Sequence, residues 1–172
     1  MPTDTANTAI GLGDSQARLV VFAPHRPPLE AYQQLNGVKP MAPGELAALV
    51  EATGNHWRKI VNLYAKLLHQ LEPVESRWQD CRDQRLLQAG SGCALLFSPP
   101  PLASSDAWQL VMGKAYAEAC SLDRLADLRT DDGFRWSPSR RLILTPYFDY
   151  RALSNARLDD LYRLIDSQRQ PE

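Results

Sequence analysis

Three short apolar runs that close in the same way predict an α/β fold, a three-layer sandwich with a central, mostly parallel sheet flanked by helices. Leu19-Val20-Val21-Phe22-Ala23-Pro24, Ala94-Leu95-Leu96-Phe97-Ser98-Pro99 and Leu142-Ile143-Leu144-Thr145-Pro146 each end in a small residue and a proline. Their apolar character is continuous rather than alternating, the mark of strands covered on both faces. Amphipathic stretches at helical spacing separate and follow them, and strands alternating with helices argue for a parallel sheet. Three neighbouring parallel strands would bring their proline-started loops to one edge, where open α/β sheets place ligands.

A chain of 172 residues fits one domain with a single core. Residues 1–16 are small and polar, with Gly11 and Gly13, and read as a flexible leader. Residues 17–168 then form the α/β domain and residues 169–172 a tail. A net charge of -1 gives no general attraction to phosphate backbones or anionic membranes. Cys81, Cys93 and Cys120 form no C-x-x-C pair, which suits a reducing compartment. With no basic leader followed by an apolar run, and no window near the ~18 apolar residues of a span, the expected location is the cytoplasm, with no membrane partner.

Beyond the strand at Leu19, His25-Arg26-Pro27-Pro28 reads as a stiff exposed loop, because the two prolines supply no N–H and push the preceding residues out of helical geometry. Glu45 to Ala52 carries Leu46, Leu49 and Val50 at helical spacing and stops at Gly54. The clearest helix follows. Trp57, Ile60, Val61, Tyr64, Leu67, Leu68 and Leu71 share one face, Asn55 is the expected cap and Pro73 follows the end. Val74 to Gln88 reads as a further helix, with Trp78 and Cys81 inward. Ser104 or Ser105 caps a segment from Asp106 to Ser121 that has two readings. Either it is one helix with Trp108, Val111, Met112, Ala115 and Ala119 on one face, or Gln109 to Gly113 is a fourth strand feeding a helix over 114–120. Leu122, Leu125 and Leu128 suggest a short helix, and Asp132-Gly133 a turn with Phe134 and Trp136 alternating behind it. The last helix opens near Asn155, carries Leu158, Leu161, Tyr162 and Ile165 inward with an Asp159/Arg163 pair outside, and frays after Asp166.

The chemical candidates lie on the proline-rimmed edge: His25 and Arg26 from the first loop, and Tyr147, Asp149, Tyr150 and Arg151 from the last. Asp149, just past a strand end, is suited either to act as a base or orient a polar ligand, or to hold its own loop by a turn hydrogen bond or a pair with Arg151. His25 is either a solvated loop histidine or a functional one. Tyr147, Phe148 and Tyr150 form an aromatic set able to stack a flat ligand, at roughly 1–3 kcal/mol per base, although half of these rings are expected in the core. His25, His56 and His69 form no H-x-x-H or Cys/His cluster, so neither a metal nor a cofactor is expected. Gly90-Ser91-Gly92 precedes a strand rather than joining strand to helix, and makes a poor phosphate cradle.

In element order the chain resembles the uracil-DNA glycosylase superfamily, an α/β sandwich with its site at the ends of a parallel sheet. Leu19 to Pro28 stands where that family has its first site loop, and Gly54 to Leu71 resembles the helix that follows. Trp108-Gln109-Leu110-Val111-Met112-Gly113-Lys114-Ala115 is similar to the family's strand ending in Gly-Lys-x-Ala, and Leu142 to Leu153 stands where its His-Pro-Ser loop stands. The resemblance favours the strand reading of 109–112. The first loop lacks the glycine and the water-activating Asp or Asn, and Thr145-Pro146-Tyr147-Phe148 lacks the histidine, so no catalytic residue is carried over.

Three functions from different classes follow. Slightly favoured is a non-catalytic binder of a nucleobase, nucleotide or single-stranded nucleic acid, using the aromatic residues beside Arg26, Arg140, Arg141 and Arg151. The alternatives are a small enzyme using His25 and Asp149 in the strand-end crevice, and a protein-interaction module built on the proline loops.

Overall fold

The computed structural model describes residues 9–101 and 105–169. Among these described residues eight strands form one sheet: β1 (Gly11–Gly13), β2 (Leu19–Phe22), β3 (Val38–Lys39), β4 (Cys93–Leu96), β5 (Trp108–Met112), β6 (Arg129–Asp131), β7 (Phe134–Ser137) and β8 (Leu142–Thr145). Their order is β3-β1-β4-β2-β5-β8-β7-β6. The inner four, β4-β2-β5-β8, are parallel, while β1 runs antiparallel to β4 and β7 antiparallel to β8. The helices are α1 (Glu30–Gln33), α2 (Glu45–Thr53), α3 (Asn55–Leu71), α4 (Trp78–Gln84), α5 (Lys114–Ala119) and α6 (Asn155–Arg169), with a 3-10 turn at Leu122–Arg124.

The expected α/β sandwich is therefore present, with unequal outer layers. Leu19, Val21, Leu95, Leu110, Met112 and Ile143 point to the face that packs against the apolar sides of α2, α3, α4 and α6. Val20, Phe22, Ala94 and Leu96 point the other way, as do Val111 and Leu142, where the cover includes α5 and the 3-10 turn. Burial on both faces explains why these strands read as continuous apolar runs. The largest contribution comes from α3, whose Trp57, Ile60, Val61, Leu63, Tyr64, Leu67, Leu68 and Leu71 are all buried. The Tyr64 hydroxyl, fully buried, reaches the carbonyl oxygens of Leu19 (3.1 Å) and Ala94 (2.7 Å), so one side chain ties α3 to both β2 and β4.

Several expectations are corrected. β8 is not a direct neighbour of β2 and β4: β5 stands between, which decides the double reading of 106–121 in favour of strand then helix. Ordered structure begins before Ala17, because β1 pairs along β4. The glycines that suggested a loose leader are what permit this: a Cβ at Gly11 would lie 2.2 Å from the Leu95 carbonyl oxygen. The proposed leader's first eight residues lie outside the described residues, as do Ser104 and residues 170–172. The helix expected over 74–88 is confined to α4, since Arg85 is turned inward by Glu72 and Glu75 rather than continuing the spiral. Asn55 does not cap α3; Gly54 takes the cap position, and Asn55 Oδ1 accepts from Arg58. The helix expected over 122–128 is the single 3-10 turn. α6 runs to Arg169, whose guanidinium donates to the Leu71 carbonyl, and Arg163 pairs with Asp160 rather than Asp159.

Candidate functional site

In the parallel core the chain passes from β2 to β4 on one side and then to β5 on the other, so the order reverses between β2 and β5. Loops leaving the carboxyl ends of strands diverge at such a point and open a crevice. Here the first loop leaves β2 through Ala23, whose N–H still bonds the Leu96 carbonyl (2.9 Å), and turns at Pro24. His25 is exposed and has no hydrogen-bond partner among the described residues. Arg26 turns away to α1, where its Nη1 donates to the carbonyls of Tyr32, Gln33 and Leu35 at 3.1, 2.7 and 3.2 Å. These carbonyls lie in and just beyond the last turn of α1, so Arg26 ties the loop to the end of that helix.

The last loop starts two strands away from the first, about 9–10 Å across the sheet. Gly113, at the top of the intervening strand β5, has φ of +102°, and a Cβ there would meet the Tyr147 ring at 3.4 Å. Glycine alone suits that backbone, and its bareness lets Tyr147 lie over the strand end. The Tyr147 hydroxyl and His56 Nε2 are 2.8 Å apart, and the His56 ring is also edge-on to Trp57. Burial pushes the Tyr147 hydroxyl pKa up, so it stays protonated.

Asp149 does not pair with the Arg151 side chain. Its Oδ1 accepts from the Arg151 backbone N–H (2.9 Å), closing a turn, and its Oδ2 pairs with Lys59 at 3.0 Å. The turn N–H, followed by the Lys59 ammonium, holds the carboxyl below the usual carboxylate range. Such a group is a weak base, already satisfied, which favours the loop-holding reading of Asp149 over the catalytic one. Phe148 is 1% exposed and belongs to the core, so it is withdrawn from the stacking set. Tyr150 is 41% exposed, accepts at its hydroxyl from Asn62 Nδ2 (3.0 Å), and has the Lys59 and Lys66 ammonium groups 5.9 and 5.6 Å from its ring centroid. Arg151 is exposed, and its backbone N–H donates to Asp149.

Thus Tyr147, Asp149 and Tyr150 are brought together, and their partners are His56, Lys59, Asn62 and Lys66 of α3. None of these four is among the site candidates read from the sequence. Their spacing of i, i+3, i+6 and i+10 makes a single stripe beside the buried face, a signal available from the sequence. Among the described residues no group of three or more His, Cys, Asp or Glu side chains is placed to hold a metal, and no helix is long and apolar enough to cross a membrane.

A family of unknown function, DUF6942, matches residues 10–166. The chain belongs to that family. The match begins just before β1 and ends within α6, so the DUF6942 fold comprises the whole sheet and the strand-end site together. No curated protein and no solved structure matches it.

Proposed function

We propose that this protein is a non-catalytic binder of a nucleobase-bearing ligand, a nucleotide or a single-stranded nucleic acid, held at the carboxyl edge of its parallel sheet. The observation that carries this reading is Tyr150, one of only two large apolar side chains exposed among the described residues, with two lysine ammonium groups within 6 Å of its ring. An aromatic face for a base beside cations for a backbone is the combination by which single strands are held without sequence preference. Tyr147, Asp149 and Arg151 belong to the same loop, and His25 belongs to the loop after β2, on the far side of β5 in the strand order. The four parallel strands with their loops on one edge support a uracil-DNA-glycosylase-like fold, and the three unpaired cysteines support a reducing, cytoplasmic setting. The enzyme reading loses ground because Asp149 is already satisfied twice.

Titration with nucleosides, nucleotides and short single strands, followed by backbone amide shifts, tests this. Shifts at residues 56–62 and 147–151 are expected, and Tyr150→Ala is expected to weaken binding by about tenfold, as the loss of one base stack implies. Nucleosides that leave these amides unmoved, or shifts confined to the opposite edge of the sheet, would refute it.

A further inference from the structure

At the opposite, amino-terminal edge of the parallel strands lies a cavity of about 190 Å³ to which the proposed function assigns nothing. Its floor is aliphatic, with Leu68, Leu71 and Ile165 from α3 and α6, and its wall includes the Trp108 ring. Three guanidinium groups line it, those of Arg18, Arg141 and Arg169, against the carboxylates of Glu72 and Asp106. Two of the three are already paired: Arg18 with Glu72 in the cavity wall, and Arg169 with Asp166 and the Leu71 carbonyl. Arg141 is not. Its Nη1 donates to the Asp106 backbone carbonyl at 2.9 Å, its guanidinium carbon lies 5.7 Å from the Trp108 ring centroid, and no carboxylate among the described residues pairs with it. Its backbone has φ of +52°, a conformation that side chains other than glycine rarely adopt.

A second observation points to a ligand independently. Trp108 is 6% exposed, and its Nε1–H is buried with no hydrogen-bond partner among the described residues. A buried donor left unpaired is uncommon and calls for an acceptor. The nitrogen has almost no accessible surface, so engaging it requires the indole to turn towards the cavity.

We infer that this cavity binds a short-chain monocarboxylate. The carboxylate takes hydrogen bonds from Arg141 and from the Trp108 Nε1–H, and the aliphatic tail lies on the leucine and isoleucine floor. At about 30 Å³ for a water-sized group, the volume holds roughly six heavy atoms, the size of butyrate. A phosphate would match the guanidinium but leave the aliphatic floor uncovered.

The test titrates the full chain with butyrate, its neutral isostere butyramide, formate and inorganic phosphate, following the tryptophan indole N–H signals. The Trp108 signal is assigned from Trp108→Phe. Butyrate is expected to shift that signal and saturate, with butyramide and the Arg141→Gln variant each weaker by about tenfold, as loss of one charge-assisted hydrogen bond implies. Formate is expected to bind more weakly than butyrate. Arg141→Gln, at a surface-accessible position, keeps the test decisive if Trp108→Phe fails to fold. Equal responses to butyrate, formate and phosphate would mean an adventitious anion only, and would overturn the assignment. So would an unmoved Trp108 signal or unchanged affinity in Arg141→Gln.

Discussion

Tyr64→Phe removes one oxygen from the centre of the molecule and leaves the shape of the side chain intact. The hydroxyl is fully buried and lies 3.1 and 2.7 Å from carbonyls of two different strands, so its loss breaks the polar tie between α3 and the β2–β4 pair. Burial raises its pKa well above the ordinary tyrosine value, so the group is a neutral donor throughout the working pH range. One hydroxyl carries one proton, so the two contacts share a single hydrogen bond with a net worth of about 0.5–1.5 kcal/mol. Leaving a buried carbonyl short of a donor adds to this, for a total of about 1–3 kcal/mol. In a chain of 172 residues each kcal/mol lowers Tm by about 2–4 °C. Urea unfolding measures the change directly, with the slope unchanged because the core stays closed. Tyr162→Phe, on the half-buried side of α6, is the control and is expected to stay within about 0.5 kcal/mol. A Tyr64→Phe loss no larger than the control would refute the role assigned to this hydroxyl.

Trp57→Ala is expected to cost about 3–5 kcal/mol in denaturant unfolding, because a 4% exposed aromatic leaves both lost transfer energy and a cavity; a surface-sized effect would show that this end of α3 is not packed. Asp127 accepts from the Ser137 and Ser139 hydroxyls and the Ser139 N–H, which lower its pKa from 3.8 to about 2. A depressed folded-state value stabilises above the unfolded one, so the advantage of the native chain over Asp127→Asn should be full above about pH 4 and fade towards pH 2; a gap independent of pH would refute the bracket. Purified protein is expected to release no uracil from uracil-containing DNA above a buffer control, since the first loop lacks the carboxylate or amide and the last the histidine, and one lost preorganised donor costs roughly 100- to 1,000-fold. Turnover abolished by changing His25 or Asp149 would reverse that conclusion.

What was legible in the sequence follows from how local the cause is. β2, β4 and β8 could be read because burial on both faces leaves an unbroken apolar run, and α3 because its apolar side chains recur over 17 residues. β5 was ambiguous because Trp108, Val111 and Met112 satisfy a helical spacing while 108–112 is also a continuous run. Pairing with β2 and β8, distant in sequence, resolves it. β1 was missed because glycine normally signals freedom, and here it answers a close approach of backbone to backbone. β6 was missed because Arg129–Asp131 is a polar edge strand. The site divides in the same way. Tyr147, Asp149 and Tyr150 follow from their place after a strand, whereas Lys59 and Asn62 meet them across separations of 90 and 88 residues: the stripe they form on α3 is visible in the sequence, but the loop that it meets is not.

The placement of β2 inside the sheet bears on how the chain is made. Both of its neighbours, β4 and β5, lie later in the sequence. A growing chain that has completed Phe22 must therefore be extended by about 70 residues before Cys93 supplies a first partner, roughly 4–14 s at ~5–20 residues per second. Throughout that interval Leu19–Phe22 is an apolar, β-prone segment without its sheet, the kind of stretch that pairs with other chains. Asp14 and Arg18 on one side of it, and the prolines at 24, 27 and 28 on the other, are charges and breakers where such a segment needs them. The same prolines that stiffen the rim of the site in the finished protein thus guard the strand beneath it while the protein is being synthesised.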